Sequence, residues 1–139
     1  MILKPIPELE KIVKGILRYQ EPLSNHTTFR LGGPADIFIM PSSLDEIQEI
    51  VEFAKCKSIP LHVIGMGSNL LISDEGLRGI VLKLASPLDN ISFEEEQVLV
   101  EAGAKCTRLI ADALKNQLTG LSFLSGIPGT IGGAIAMNA

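Results

Sequence analysis

The chain has 139 residues, of which 46% are apolar and 20% charged, and its mean hydropathy is +0.32. These values exclude a disordered chain and fit one domain, or two small subdomains, with a sizeable buried core. The net charge of −4 argues against nucleic acid as the main partner, because nucleic-acid-binding proteins usually carry a basic surplus. Two cysteines cannot form a disulfide framework, which favours a reducing compartment.

The first elements in chain order are a helix and a loop. Apolar residues at helical spacing predict a helix over residues 7–19, although Gly15 weakens that pattern. Residues 20–34 are rich in turn formers and predict a loop. The N-terminus has no continuous apolar region of the kind a secretory signal needs, so we expect a cytoplasmic protein.

A strand, a helix and a second strand follow. Residues 35–40 predict the first strand, and Ser43 with Glu46 forms a capping-box pattern that opens a helix reaching about Lys57. The short apolar run at 61–65 is typical of a buried strand. This order predicts a right-handed βαβ unit with a parallel pair of strands.

The next part of the chain predicts mainly strands. Residues 66–78 begin with turn formers, become apolar and then return to a turn. Residues 79–84 predict another strand. Segments 91–93 and 97–103 flank three glutamates and predict a hairpin with an acidic, solvated turn. Apolar spacing predicts a helix over 107–117.

The last 24 residues, after Lys115, carry no charged side chain, a length that would suffice to span a bilayer. A membrane span is rejected because the segment contains a proline, five glycines and several polar residues. We predict a buried glycine-rich loop followed by a short core helix. The sequence ends inside an apolar run without a helix stop signal, so we expect it to be part of a longer protein.

Eight of the 13 glycines lie in three clusters, at 32–33, 65–67 and 126–133. The second cluster follows a predicted strand, where glycines let backbone N–H groups converge on an anion such as a diphosphate. The third precedes a helix-like run, where free N–H groups and the helix dipole favour negative charge, and Thr130 is placed to cap that helix. A glycine-rich turn can also be a simple connection, and that alternative stays open.

Other chemistry is poorly supported by the sequence. No Gly-Lys-Ser/Thr sequence occurs, which excludes a Walker A loop, and Leu70 stands where a dinucleotide-binding Rossmann loop needs its third glycine. Two histidines and two distant cysteines give no metal-ligand spacing, so no metal is expected. His62 is read as a hydrogen-bonded core residue and His26 as a residue that fixes a loop. Cys106, near a helix start, could have a lowered pKa, but a structural thiol is favoured.

Three segments together resemble a known family: NHTTFRLGGPA at 25–35, GMGSNLL at 65–71, and GIPGTIGGA at 126–134 followed by MNA at 137–139. Their order and spacing resemble those of the bacterial UDP-N-acetylenolpyruvoylglucosamine reductases, also called UDP-N-acetylmuramate dehydrogenases. The resemblance extends over nearly the whole chain, from about residue 16.

The resemblance implies an α+β fold, the FAD-binding fold of the vanillyl-alcohol oxidase and p-cresol methylhydroxylase type. It implies a small α/β subdomain and a larger α+β subdomain that hold FAD between them. We expect an N-terminal helical segment at 1–20, a first FAD-binding subdomain at 21–75 and an incomplete second one at 76–139. The family's substrate-binding C-terminal domain is expected to be absent.

The resemblance also implies which residues bind non-covalent FAD. Those expected around the FAD diphosphate are Gly65, Met66, Gly67, Ser68, Asn69 and Leu70. Those expected to form a second wall of the site are Gly126, Ile127, Gly129, Thr130, Gly132 and Gly133. Asn138 matches a position near the flavin.

The implied reaction is an NADPH-dependent reduction of UDP-N-acetylglucosamine enolpyruvate to UDP-N-acetylmuramate for peptidoglycan. The family's catalytic Arg, Ser and Glu have no counterparts in this sequence, so we expect the 139 residues alone to be inactive. Two alternatives stay open: a stand-alone FAD-binding module, and a different flavin oxidase of the same fold. No histidine or cysteine lies in either glycine loop, which argues against covalent flavin attachment.

Overall fold

A computed structural model of the chain describes residues 4–84 and 88–139, which divide into two compact units, Met1–Leu84 and Ala85–Ala139. The boundary differs from the predicted subdomain boundary at 75/76, because the strand that follows residue 76 pairs inside the sheet of the first unit. The two units are described separately below.

The first unit is built around a four-stranded sheet. Its elements are α1 (Pro7–Ile12), β1 (Ile16–Pro22), a 3₁₀ turn (Leu23–His26), β2 (Pro34–Met40), α2 (Leu44–Cys56), β3 (Leu61–Ile64) and β4 (Leu77–Lys83). The strand order is β1-β2-β4-β3. Strands β2, β4 and β3 are parallel to one another, and β1 runs antiparallel to β2.

The predicted helix over 7–19 is wrong in its second half. Helix α1 ends at Ile12, and residues from Ile16 onward form an edge strand along β2. Gly15 makes this turn possible, because a Cβ there would lie 2.1 Å from the Met40 carbonyl oxygen. Backbone pairing with an open sheet edge has overridden the local helical pattern. Residues 1–3 of the predicted N-terminal helical segment lie outside the described residues.

The strand–helix–strand prediction is right for its three elements but incomplete in topology. Strands β2 and β3 are parallel, yet β4 lies between them and pairs with both. The short apolar runs of β2 and β4 fit this arrangement, since central parallel strands are buried on both faces.

Two apolar clusters cover the two faces of the sheet. One joins α1 and α2 to the strands through residues that include Leu9, Ile37 and Ile50. The other lies under the loops and includes Leu23, Phe38, Ile64, Ile72 and Val81.

A buried carboxylate lies at a β-bulge in the middle of the sheet. The register between β2 and β4 shifts after Ala35, which leaves Arg78 and Gly79 opposite Asp36. Asp36 is fully buried, and its Oδ2 accepts a hydrogen bond from the Gly79 N–H at 3.1 Å. Its Oδ1 accepts from Arg78 Nη1 at 2.7 Å and from Gln20 Nε2 at 3.4 Å. The carboxylate therefore satisfies a backbone donor that the bulge removes from the ladder.

A second buried carboxylate, Glu46, ties the start of α2 to the turn before β1. The capping box is confirmed in part, because the Ser43 hydroxyl accepts from the Glu46 N–H. The Glu46 side chain, however, accepts from the Lys14 and Gly15 N–H groups and from the backbone and hydroxyl of Ser42. Burial raises the pKa of Glu46, but these hydrogen bonds outweigh it and hold the pKa below its usual value.

Glu46→Gln is expected to cost about 2 kcal/mol in the free energy of unfolding at neutral pH, because one amide end then presents a donor to existing donors. A lowered pKa means that the Glu46 contribution is complete above the ordinary carboxyl pKa and is lost as the pH falls through the lowered value. The variant should therefore lose stability less steeply in acid. Urea unfolding at several pH values measures both effects. Glu49→Gln serves as the control, because Glu49 is exposed on the same helix. Equal losses of stability in the two variants would contradict the structural role given to the Glu46 carboxylate.

The second unit is a hairpin packed with two short helices. Its elements are β5 (Ile91–Glu94), β6 (Gln97–Val100), α3 (Cys106–Lys115), a 3₁₀ turn (Ser122–Leu124) and α4 (Ile131–Ala136). The predicted hairpin is confirmed, with Glu95 in its turn at a positive φ of +53°. The helix predicted over 107–117 is confirmed as α3. Residues that include Cys106, Leu109, Leu124 and Ile131 form its core. Within 4–84 and 88–139, no helix is long and apolar enough to cross a membrane.

Candidate functional site

The 65–70 loop of the first unit leaves the sheet at the carboxyl end of β3, the edge at which open parallel sheets commonly bind ligands. Gly67 is buried with a positive φ of +72°, and its carbonyl accepts a hydrogen bond from the Thr28 N–H at 3.0 Å. A Cβ on Gly67 would lie 2.1 Å from the His26 carbonyl oxygen. Met66 and Asn69, on either side, are exposed. The loop is therefore fixed at its centre and accessible at its flanks.

The 23–33 segment supports this loop and is itself closed by backbone hydrogen bonds. Leu23 N–H donates to Gly33 O at 3.0 Å, and Gly33 N–H donates to Ser73 O at 2.9 Å. The segment also borders a polar cavity of about 510 Å³, lined by Ser24, Asn25, Thr27 and Arg30. The family-like residues at 25–35 and 65–71, which are distant in sequence, are thus in contact.

His26 lies under this contact rather than in the open. Its ring stacks on Phe38 with centroids 4.1 Å apart. Its Nε2 lies 2.9 Å from Glu21 Oε1, and its Nδ1 lies 3.3 Å from Lys83 Nζ. Burial is the main cause that lowers the pKa of His26, with a smaller contribution from the charge of Lys83. The structure therefore supports the interpretation of His26 as a loop-fixing residue.

The two charged partners of His26 are also perturbed. Burial raises the pKa of Glu21, but hydrogen bonds from His26 and Arg18 outweigh it, so the pKa lies below its usual value. Burial lowers the pKa of Lys83. Sequence reasoning missed both residues. Lys83 is a single cation in the predicted strand at 79–84, which is the signal that could have drawn attention to it.

The 126–133 loop belongs to the second unit and is less buried than predicted. Gly126 and Pro128 are exposed, and space is open where a Gly126 Cβ would project. Thr130 is 2% exposed and caps α4, because its hydroxyl accepts from the Gly133 N–H at 3.3 Å. The predicted cap is therefore confirmed. Asn138, expected near the flavin, is exposed with φ +51°.

The N-terminus of α4 does not offer the free N–H groups that the sequence predicted. Ile131 N–H donates to Ala104 O at 2.8 Å, Gly132 N–H donates to Ala102 O at 2.9 Å, and the Gly133 N–H is bonded to Thr130. Gly132 is needed for packing, since a Cβ there would lie 2.8 Å from the Ala102 Cβ. Any ligand contact by this loop must therefore come mainly from its exposed part before Thr130.

The remaining candidates are structural. His62 Nε2 lies 3.1 Å from the Arg78 carbonyl oxygen, as expected for a hydrogen-bonded histidine of the sheet. Cys106 is buried, and burial raises its pKa, which overturns the alternative of an activated thiol. Within the described ranges, no group of three or more histidine, cysteine, aspartate or glutamate residues could hold a metal ion.

The predicted site residues therefore fall into two sets, one in each compact unit. The first unit brings Gly65, Met66, Gly67, Ser68, Asn69 and Leu70 together in one loop. The second unit brings Gly126, Ile127, Gly129, Thr130, Gly132 and Gly133 together, with Asn138 just after α4.

Comparisons with known proteins identify the family of the chain. Residues 35–139 match the family described as FAD binding domain. The chain is 47% identical over 136 residues to the UDP-N-acetylenolpyruvoylglucosamine reductase of Bacillus subtilis, covering 98% of this chain and 45% of that protein. The enzyme of the same name from Desulforamulus reducens is 47% identical over 132 residues, covering 95% and 44%. The chain thus spans less than half the length of these relatives.

Solved structures show the same fold. The reductase from Thermus caldophilus has a TM-score of 0.73 at 34% identity, over 89% of this chain and 43% of that chain. Cholesterol oxidase from Brevibacterium sterolicum has a TM-score of 0.70 at 17% identity, over 99% of this chain and 26% of that chain. At that identity the oxidase supports the fold alone. The predicted FAD-binding α+β fold is confirmed.

Proposed function

Since the chain belongs to the family of FAD-binding domains, we propose that it binds FAD non-covalently as the flavin-binding part of a UDP-N-acetylenolpyruvoylglucosamine reductase. The observation that carries the proposal is the 65–70 loop, whose central glycine is locked at the carboxyl edge of a parallel sheet. The family match covers this loop and the 126–133 loop together.

The residues of the 65–70 loop fit a diphosphate. The donor groups of the loop are its backbone N–H groups, the Ser68 hydroxyl and the Asn69 amide, and the loop contains no carboxylate. Lys83 pairs with Ile64 at the last residue of β3, so a cation lies beside the start of the loop. We assign the diphosphate to residues 65–70 on this chemistry.

The second loop is proposed to contact FAD through the exposed Gly126 and the partly exposed Ile127. Gly126 and Ile127 precede the buried Thr130, and Gly129 O is already used as an acceptor for the Cys106 N–H at 3.1 Å. Thr130, Gly132 and Gly133 are proposed to act by holding this loop on α4. Asn138, also exposed, is proposed to lie near the flavin ring.

The whole protein is proposed to act in peptidoglycan synthesis in the bacterial cytoplasm. When bound, FAD supplies a hydride carrier, so a protein containing this chain would reduce UDP-N-acetylglucosamine enolpyruvate to UDP-N-acetylmuramate with NADPH as the reductant. The role of the chain's own residues is to bind the cofactor, orient it and fix the loops that hold it.

Visible absorption spectroscopy tests the cofactor assignment. The purified chain, after incubation with FAD and removal of free ligand, is expected to keep the two absorption bands of oxidised flavin, and acid precipitation should release the flavin. A longer protein that contains this chain is the control, and with NADPH it should consume the enolpyruvyl sugar nucleotide. If both proteins stay colourless after incubation, FAD binding is contradicted. If flavin stays in the acid precipitate, the attachment is covalent and the non-covalent assignment is wrong.

A further inference from the structure

A chain of hydrogen bonds lies beneath the 65–70 loop and passes through a single imidazole. Glu21 at the end of β1, His26 in the 3₁₀ turn and Lys83 at the end of β4 are joined by contacts of 2.9 and 3.3 Å. Arg18 Nη1 lies 2.9 Å from the same Glu21 oxygen. The side chains of His26 and Glu21 are 12% and 11% exposed, so water screens their contact only weakly.

The partners decide the tautomer of His26. An ionised Glu21 only accepts hydrogen bonds, so the proton lies on His26 Nε2. The Lys83 ammonium only donates, so Nδ1 must be the acceptor. A neutral imidazole meets both demands, whereas an imidazolium would present an N–H to the ammonium.

The same histidine is joined to the loop through its backbone. Its carbonyl oxygen fills the space where a Gly67 side chain would project, and Thr28, two residues later, donates to Gly67 O. On the other side, Lys83 pairs with Ile64, and Leu84 N–H donates to Ile64 O at 2.9 Å, directly before Gly65. The His26 ring therefore links the two parts of the chain that hold the loop, the 23–33 segment and the end of β4.

We propose that His26, as a neutral Nε2–H imidazole, is a positioning residue that holds the 65–70 loop in the conformation that binds the FAD diphosphate. This inference rests on the proposed FAD binding and adds to it a dependence of affinity on pH. The charged groups that face the ring are Glu21 and Arg18 from β1 and Lys83 from β4. Strand β2 contributes the apolar Phe38, and the 65–70 loop contributes no titratable group.

The direction of the pH dependence follows from the lowered pKa of His26. A buried neutral histidine stabilises the folded arrangement around it fully above the ordinary histidine pKa. That stabilisation is lost as the pH falls through the lowered pKa, where the ring becomes protonated. Glu21, with its own lowered pKa, loses its contribution only at lower pH. FAD binds the folded protein, in which the His26 pKa is already lowered, so FAD affinity is expected to stay constant around neutral pH and to fall only as acidification passes through that lowered pKa, below the ordinary histidine value of about 6.5.

The test measures the FAD dissociation constant by flavin fluorescence from about pH 5 to about pH 8, the range in which histidine titrates. The wild-type protein should lose affinity roughly tenfold across the acid part of that range. His26→Gln keeps a donor for Glu21 and an acceptor for Lys83, so it should bind FAD nearly as well at neutral pH and lose the acid dependence. His26→Leu removes both hydrogen bonds and should bind roughly tenfold more weakly at every pH.

His62→Gln is the matched control, because His62 is the chain's other histidine and lies in the same sheet. It should keep the wild-type pH dependence. An acid dependence that survives in His26→Gln, or that disappears in His62→Gln, would overturn the proposal, as would affinities in His26→Leu equal to wild type.

Nitrogen NMR of His26 in the FAD-free protein separates this inference from the proposed function. We expect the Nε2–H tautomer and a pKa below the ordinary histidine value. If the tautomer is Nδ1–H, the positioning role fails even when FAD binds. If the NMR result is as expected and FAD never binds, the proposed function fails, and the role of His26 as a determinant of FAD affinity fails with it.

Discussion

Gly67→Ala is expected to lower FAD affinity by about a hundredfold or more, equivalent to roughly 2.7 kcal/mol of binding free energy. The added methyl group would lie 2.1 Å from the His26 carbonyl oxygen, a backbone atom that cannot rotate away. The 65–70 loop and the 23–33 segment would have to separate, and the hydrogen bond from Thr28 N–H to Gly67 O would break. The loop would then no longer present its N–H groups in one arrangement.

Gly120→Ala is the matched control for this substitution. Gly120 also has a positive φ, +98°, but a Cβ added there would have no atom within 4 Å, and the residue is outside both proposed FAD loops. The substitution should cost about 1 kcal/mol in the free energy of unfolding, from the left-handed backbone alone, and leave FAD affinity unchanged. Flavin titration and urea unfolding of both variants measure the two effects. Equal affinities for the two variants would contradict the role of the Gly67 contact.

Asp36→Asn is expected to destabilise the first unit by about 3 kcal/mol, the second large effect. The two carboxylate oxygens accept from Arg78, Gln20 and the Gly79 N–H, and all of these partners are donors. An asparagine amide has one oxygen, so its NH₂ group must face a donor on one side. The buried site leaves no water to relieve that conflict, because Asp36 is 0% exposed.

Asp89→Asn tests whether burial of the carboxylate is the cause of the large loss of stability expected for Asp36→Asn. Asp89 also pairs with an arginine, since Arg108 Nη1 lies 3.0 Å from its Oδ2, but both side chains are substantially exposed. Because solvent screens this pair, Asp89→Asn should lower the free energy of unfolding by less than about 1 kcal/mol. Urea unfolding at neutral pH compares the variants, and a loss in Asp36→Asn no larger than in Asp89→Asn would rule out the structural role given to Asp36.

Local patterns were sufficient for elements that the rest of the chain does not contest. The hairpin of β5 and β6 and the helices α2 and α3 follow alternation, helical spacing and a capping hydroxyl. The residues after Gly15 fit a helix by their spacing, and only the open edge of β2 selects the strand that they form. A free sheet edge is a tertiary feature that no window of sequence contains.

The predicted FAD-binding residues show the same division. Glycine spacing identified both loops, and the resemblance of the three segments identified the family, which the comparisons support. The sequence could not reveal that the N–H groups at the start of α4 are bonded to Ala102 and Ala104. It also could not join Glu21, His26 and Lys83, which are separated by up to 62 positions in the numbering.

The sequence by itself determined the two glycine loops and most local elements, because glycine conformation and apolar periodicity act over a few neighbouring residues, and the resemblance of its three segments indicated the family and the FAD-binding fold. Tertiary structure alone decided that β4 enters between β2 and β3, that Asp36 accepts the Gly79 N–H at the β-bulge, and that His26 lies under the 65–70 loop beside Glu21 and Lys83. The physical reason is that hydrogen bonding and burial of charge depend on which distant groups share a low-dielectric space, and that is set only when the sheet assembles.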